Sequence, residues 1–236
     1  MAKSTALLAV GQATEQATEQ AAEQARRLRA VPAPRPVLDR EREDQLTGRQ
    51  REVLDQLVAL FADGFVELTM ADIAAQAGCS LRTLYDLAPS RDELVLTVID
   101  RNLRHIGRAA VGAMAPDMAP LEAIRAYLRA ANLAVASTTP AFARDQAATP
   151  STHRLATAHS DYLVAVTRTL LDLAVERGNL ADPSGDPIDT AAVARVVAGL
   201  GAMFALPEHI EAIDSTPRDA ANTMVDVILR GLESTP

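Results

Sequence analysis

At 236 residues, the chain has room for one small and one larger domain, each with its own core. A net charge of −8 excludes a broad, non-specific nucleic-acid binder but leaves room for a local basic face. The single cysteine, Cys79, excludes an intramolecular disulfide and fits a reducing cytoplasm.

Residues 1–45 come first. The tract from Thr14 to Ala25 is a near-repeat of Thr, Glu, Gln and Ala, with high helix propensity and almost no large apolar side chain. It cannot build a core of its own, so a disordered arm or a frayed lone helix is expected. Pro32, Pro34 and Pro36 then make an extended linker. Arg26, Arg27, Arg29 and Arg35 form a basic run with no acid between them.

Residues 46–92 carry the densest pattern. Leu54, Leu57, Val58, Phe61 and Phe65 form one apolar stripe at helical spacing, and Gly64 sits where that helix should stop. Thr69 is placed to cap a second helix, with Asp72 suiting its positive N-terminus. Ile73, Ala74 and Ala77 should face inward, and Gly78 should make the turn. Ser80 caps a third helix from Leu81 to about Leu87, with Leu84 and Leu87 inward and Arg82, Thr83 and Tyr85 outward. Ser90 with Glu93 reads as a capping box opening a long fourth helix. Two short helices joined by a glycine turn are a helix-turn-helix, which lays its second helix in the major groove of DNA.

This run resembles the tetracycline-repressor (TetR) family of transcription regulators. The matching pieces are Phe61-Ala62-Asp63-Gly64-Phe65, Thr69 to Ala74, Ala77 to Ser80, Thr83-Leu84-Tyr85 and Pro89 to Leu94. The resemblance implies DNA contacts from Thr69, Thr83, Tyr85 and Arg91, with Leu81 and Arg82 at the leading edge of the reading helix. Three departures stand out. Ala88 replaces the family's usual aromatic residue, which removes packing under the turn; Arg91 replaces the usual lysine, keeping a charge that can fork onto phosphate; and Asp86 puts an acid beside the phosphate backbone. With DNA as the partner, the basic run in the first 45 residues has two readings, a solvated tail or an arm reaching the minor groove.

Residues 93–236 read as further helices, and the fold class is all-α. Pro120 opens one around Leu121, Ile124 and Leu128; Pro140 and Pro150 bracket a short piece. A long helix runs from Ser151 to about Arg177 and stops at Gly178. After the loop Asp182 to Pro187, Pro187 suits the first turn of a helix reaching about Leu206, and Pro217 opens the last. Ala191, Ala194, Ala198, Gly199, Gly201 and Ala202 are small enough for close helix approach. By resemblance, the last two long helices pair across a two-fold axis to make a homodimer. The middle helices would then enclose a pocket for a small, mostly apolar effector, with Met118, Tyr127, Phe142, His159, Tyr162, Met203 and Phe204 as candidate contacts. Binding there would swing the fourth helix and put the two reading heads out of register.

No catalytic motif is present: no glycine-rich phosphate loop, no G-x-S-x-G elbow, no H-E-x-x-H and no paired cysteines. No cofactor or metal is expected, since His153 and His159 fall on different helix faces. Residues 192–206 are apolar but too short to span a membrane and contain Arg195; Ala6 to Val10 is too short for a signal-peptide core. The expectation is a cytoplasmic, homodimeric, effector-responsive repressor of double-stranded operator DNA. The alternative is a regulator-like helical module that binds a ligand or protein without DNA.

Overall fold

The computed structural model describes residues 2–135, 139–182, 185–204, 206 and 213–234. Pro183 and Ser184 of the predicted loop, and Ala205 near the predicted end of the following helix, lie outside them. Eleven helices occur among the described residues: α1 (Ala2–Ala30), α2 (Arg40–Gln45), α3 (Gly48–Ala62), α4 (Met70–Gln76), α5 (Leu81–Leu87), α6 (Arg91–Gly112), α7 (Pro120–Val135), α8 (Pro140–Ala148), α9 (Pro150–Glu176), α10 (Thr190–Phe204) and α11 (Pro217–Leu232). No strand is found among them, only an isolated bridge between Leu180 and Glu233.

Two hydrophobic cores form. The first gathers Val53, Leu54, Leu57 and Phe61 of α3 with Phe65, Ile73, Leu84 and Leu87. The second joins Ile124, Tyr127 and Leu128 of α7 to Leu170 and Leu171 of α9, Val197 of α10 and Leu229 of α11. The long helix α6 serves both. Its N-terminal Leu94, Val95, Val98 and Ile99 lie in the first core, and Ala110 near its far end lies in the second. Displacement of α6 therefore moves the first core relative to the second.

Residues 1–45, expected as a disordered arm or a frayed lone helix, hold two helices in the structure. Ala2–Ala30 is helical and packs on α9, and residues 40–45 form α2. The tract lacks a core of its own, but Leu28 and Val31 pack against the second one. Gln24 is buried and its Nε2 donates to the Met118 carbonyl at 3.2 Å. Arg27 pairs with Glu176 at 2.7 Å, and Arg177 donates to the Gln20 carbonyl at 2.8 Å. Of the basic run, Arg27 thus sits on the C-terminal bundle, while Arg26, Arg29 and Arg35 are exposed. Beyond α1 the chain crosses α6: Arg104 donates to the Pro34 carbonyl, and the Val37 N–H donates to Asp100 at 2.9 Å.

Pro187 does not open α10. The helix starts at Thr190, where Asp189 Oδ1 accepts from the Ala192 N–H at 3.0 Å and supplies the capping acceptor that proline lacks.

Candidate nucleic-acid interface

Local capping builds the helix-turn-helix. At α3 the Thr47 hydroxyl accepts from the Gln50 N–H, and the Gln50 side chain accepts from the Thr47 N–H. Gly64 then ends the helix with φ +104°, a conformation that a side chain resists. Thr69 and Asp72 form the same reciprocal box at α4. Asp72 Oδ2 accepts from the Thr69 N–H at 3.0 Å and from its hydroxyl at 2.5 Å. These bonds hold the Asp72 carboxyl below its ordinary range, the hydroxyl contributing most. Gly78, at φ +59°, makes the turn, and Ser80 caps α5 by accepting from the Thr83 N–H at 3.1 Å.

The reading helix α5 is two-faced. Leu84 and Leu87 are buried in the first core. Leu81 and Tyr85 are 45% and 53% exposed, and Arg82 and Asp86 are exposed on the same edge. Thr83 is half-buried and shares a hydrogen bond with the Ser80 hydroxyl at 2.9 Å. Thr69 is exposed at the N-terminus of α4. Beside the turn, the Arg49 guanidinium donates to the Gly78 carbonyl at 3.2 Å and remains half-exposed. Burial pushes the neighbouring Cys79 thiol up, with Arg49 partly opposing, so this cysteine is a weak nucleophile at neutral pH.

Arg91 stands apart. Its guanidinium donates to the carbonyls of Leu68 at 2.7 Å, Val66 at 2.7 Å and Phe65, and it pairs with Asp92 at 2.8 Å. The cation holds the loop between α3 and α4 from within. Ser90 makes only half of the expected capping box, accepting from the Glu93 N–H at 3.2 Å. Ala88 is buried in extended backbone, so the missing aromatic leaves no exposed gap there.

The residues expected around an effector divide. Tyr127 is buried in the second core, with Met118, Tyr162 and Phe204 packed against it. Burial raises the Tyr127 phenol well above its ordinary range, and Tyr162 adds to this. Phe142 instead belongs to the first core, its ring 5.8 Å from that of Phe65. Met203 faces outward on α10. His159 is engaged with buried Asp100 at 2.9 Å, joining α9 to α6. The resemblance offers all seven as pocket contacts without distinguishing which core each would meet. The small residues of α10 divide too: Ala194, Ala198 and Gly201 are buried, Ala191 and Gly199 are half-buried, and Ala202 is exposed, as are the larger Val196 and Met203. Among the described residues, no group of side chains could hold a metal ion and no helix is long and apolar enough to cross a membrane.

Sequence reasoning missed one functional candidate, Asp145 of α8, which accepts from the Phe65 and Val66 N–H groups. Its partners lie 80 and 79 residues away, and no local pattern marks it.

Comparison with known proteins agrees with this geometry. Residues 53–98 match the family described as bacterial regulatory proteins, tetR family. No curated protein matches the chain in sequence. A TetR-like transcriptional regulator from Rhodococcus sp. RHA1 is 26% identical, with a TM-score of 0.58 over 77% of this chain and 93% of its own. A second regulatory protein of the tetR family from Rhodococcus RHA1 is 18% identical, with a TM-score of 0.61 over 81% of this chain and 100% of its own. The TetR-family regulator PfmR from Thermus thermophilus is 23% identical, with a TM-score of 0.55 over 77% of this chain and 99% of its own. Residues 53–98 thus match the tetR family of bacterial regulatory proteins, and this capped helix-turn-helix, set in an all-helical chain of TetR-like fold, supports a DNA-binding transcriptional regulator.

Proposed function

We propose that the protein is a cytoplasmic, homodimeric repressor that leaves its operator when a small, mostly apolar molecule binds. The outer edge of α5 carries this reading. Leu81, Arg82 and Tyr85 are exposed on a capped helix, and Arg82 has no ion pair or hydrogen bond among the described residues. An unengaged guanidinium suits guanine O6 and N7, while leucine and tyrosine suit thymine methyls and the phosphate backbone. Thr69 and Thr83 flank that edge and complete the proposed contact surface; Arg91 supports it from behind.

Seven residues of reading helix give few base contacts, so two copies are needed on neighbouring half-sites. Val196 and Met203 on α10, with Met224 and Val227 on α11, are exposed apolar side chains on adjacent helices and support a face for a second copy. The effector reading rests on Met118, Tyr127, Tyr162 and Phe204. The Tyr127 phenol makes no hydrogen bond among the described residues, so an apolar molecule carrying one acceptor suits it. Release then requires that the molecule bind one arrangement of α6 more tightly than the other.

A mobility-shift titration against DNA upstream of the protein's own gene tests the reading. The wild-type protein should give a specific shift, and Arg82→Ala and Tyr85→Ala should weaken it by about tenfold or more. An intact shift in both variants removes α5 as the reader. The exposed acid Asp86 and the net charge of −8 favour the second reading, a ligand- or protein-binding module. A folded wild-type dimer that shifts no DNA selects it.

A further inference from the structure

We infer that Asp145 is a positioning residue for DNA binding, a carboxylate of the C-terminal bundle that fixes the loop leading into the helix-turn-helix. The loop from Gly64 to Leu68 joins α3 to α4, and its end sets where Thr69 begins the helix that carries the turn. Its polar groups are held from two sides. Asp145 Oδ2 accepts from the Phe65 N–H at 2.6 Å and from the Val66 N–H at 3.0 Å. Arg91 takes the carbonyls of Phe65, Val66 and Leu68. With donors and acceptors both engaged, the loop cannot rotate without breaking charge-assisted bonds.

Three further contacts make α8 the origin of this hold. Thr139, the N-cap of α8, donates its hydroxyl to the Ala62 carbonyl at the end of α3. Phe142, one turn before Asp145, inserts its ring edge against Phe65. A Cβ at Gly64 would stand 3.1 Å from Asp145 Oδ2, so the approach is close. The Asp145 side chain is only 14% exposed, and its neighbour Arg144 lies 3.8 Å away on the other oxygen. On its remaining sides α8 packs against α9 of the second core. A shift of α9 can thus reach the helix-turn-helix along α6, through Leu155 packed on the first core, and through α8, where Asp145 holds the loop before α4. The Asp145 contact is non-covalent, so a single substitution removes it without breaking either core.

The test uses the full chain, and it rests on the DNA-binding reading above. Asp145→Ala and Asp145→Asn are compared with wild type in affinity for the upstream DNA, corrected for the folded fraction, and in amide exchange. Asp145→Ala should weaken binding about tenfold, while Asp145→Asn, which keeps an acceptor without the charge, should recover part of it. Exchange at the Phe65 and Val66 amides should quicken about tenfold in the alanine variant, with amides of α10 and α11 unchanged. A purely structural role would lower the melting temperature and leave the affinity of the folded protein as it was. Wild-type affinity in the Asp145→Ala variant, or unchanged protection at the two amides, overturns the inference. A wild-type protein that binds no DNA fails the functional reading and takes this inference with it.

Discussion

The helix-turn-helix and the N-terminal helix are capped and tied by opposite means. Every cap in the first is made within three residues: Thr47 with Gln50, Thr69 with Asp72, Ser80 with Thr83, Ser90 with Glu93. The helix α1 is tied by partners far along the chain, Gln24 to Met118, Arg27 to Glu176 and Gln20 to Arg177. Order written locally can be read from spacing. Order borrowed from a distant surface cannot, because nothing in the tract itself names that surface.

The sharpest way to break this comparison is to empty the first core. Phe61 is fully buried, and Phe61→Ala should cost about 3–5 kcal/mol. Because Phe61 lies outside the second core, chemical denaturation followed by segment-resolved hydrogen exchange should show the reading head opening first, with α9 to α11 still protected. A single cooperative transition for both segments would show that the two cores behave as one.

Deleting residues 1–30 comes next. It strips Leu28 and the Gln24 bond from the second core, a loss of about 2 kcal/mol from the apolar area alone. The melting temperature should fall, while operator affinity, measured at several salt concentrations, should stay as it was. A weaker, less salt-dependent complex would instead return the arginine run to the minor groove.

Ser80→Ala should cost about 1 kcal/mol by removing the cap of the reading helix. The loss is smaller, but it falls on the element proposed to touch DNA. Affinity should therefore drop more than the melting temperature suggests, whereas the deletion of α1 should show the reverse. Crossed readouts of this kind separate a local device from a distant brace.

Much of the molecule was legible from spacing. The three helices of the helix-turn-helix domain, the caps at Thr69 and Ser80, the turn at Gly78 and the proline-bounded α8 follow from residue type and order; the Thr47 cap of α3 lies outside that reading. The partners of Arg91 and Asp145 do not follow from order. Arg91, expected at a phosphate, also takes three carbonyls 23 to 26 residues earlier, which spacing does not reveal. Phe142 looks like a pocket residue until α8 is seen lying against Phe65. In each case the residue type stated the chemistry, and only the packing of distant segments decided what it met.

Acid and salt give the finest separation of the two regions. Glu23 and Glu176 sit below their ordinary value of 4.5, chiefly through the hydrogen bonds of Arg27, joined by Arg26 for Glu23. Asp72 sits below 3.8 through the Thr69 hydroxyl and N–H. A depressed carboxyl contributes stability that is present above its unfolded value and lost as pH falls through the folded one. Neither region should respond between pH 6 and 8, and both should weaken only in acid, α1 beginning near 4.5 and the box near 3.8. Salt at neutral pH distinguishes them, because screening weakens the exposed ion pairs of Arg27 but leaves a neutral hydroxyl-to-carboxylate hydrogen bond nearly intact. Raising ionic strength should therefore speed amide exchange in α1 before α4. Equal sensitivity of the two helices would mean that α1 is held by Leu28 and Gln24 far more than by its charges.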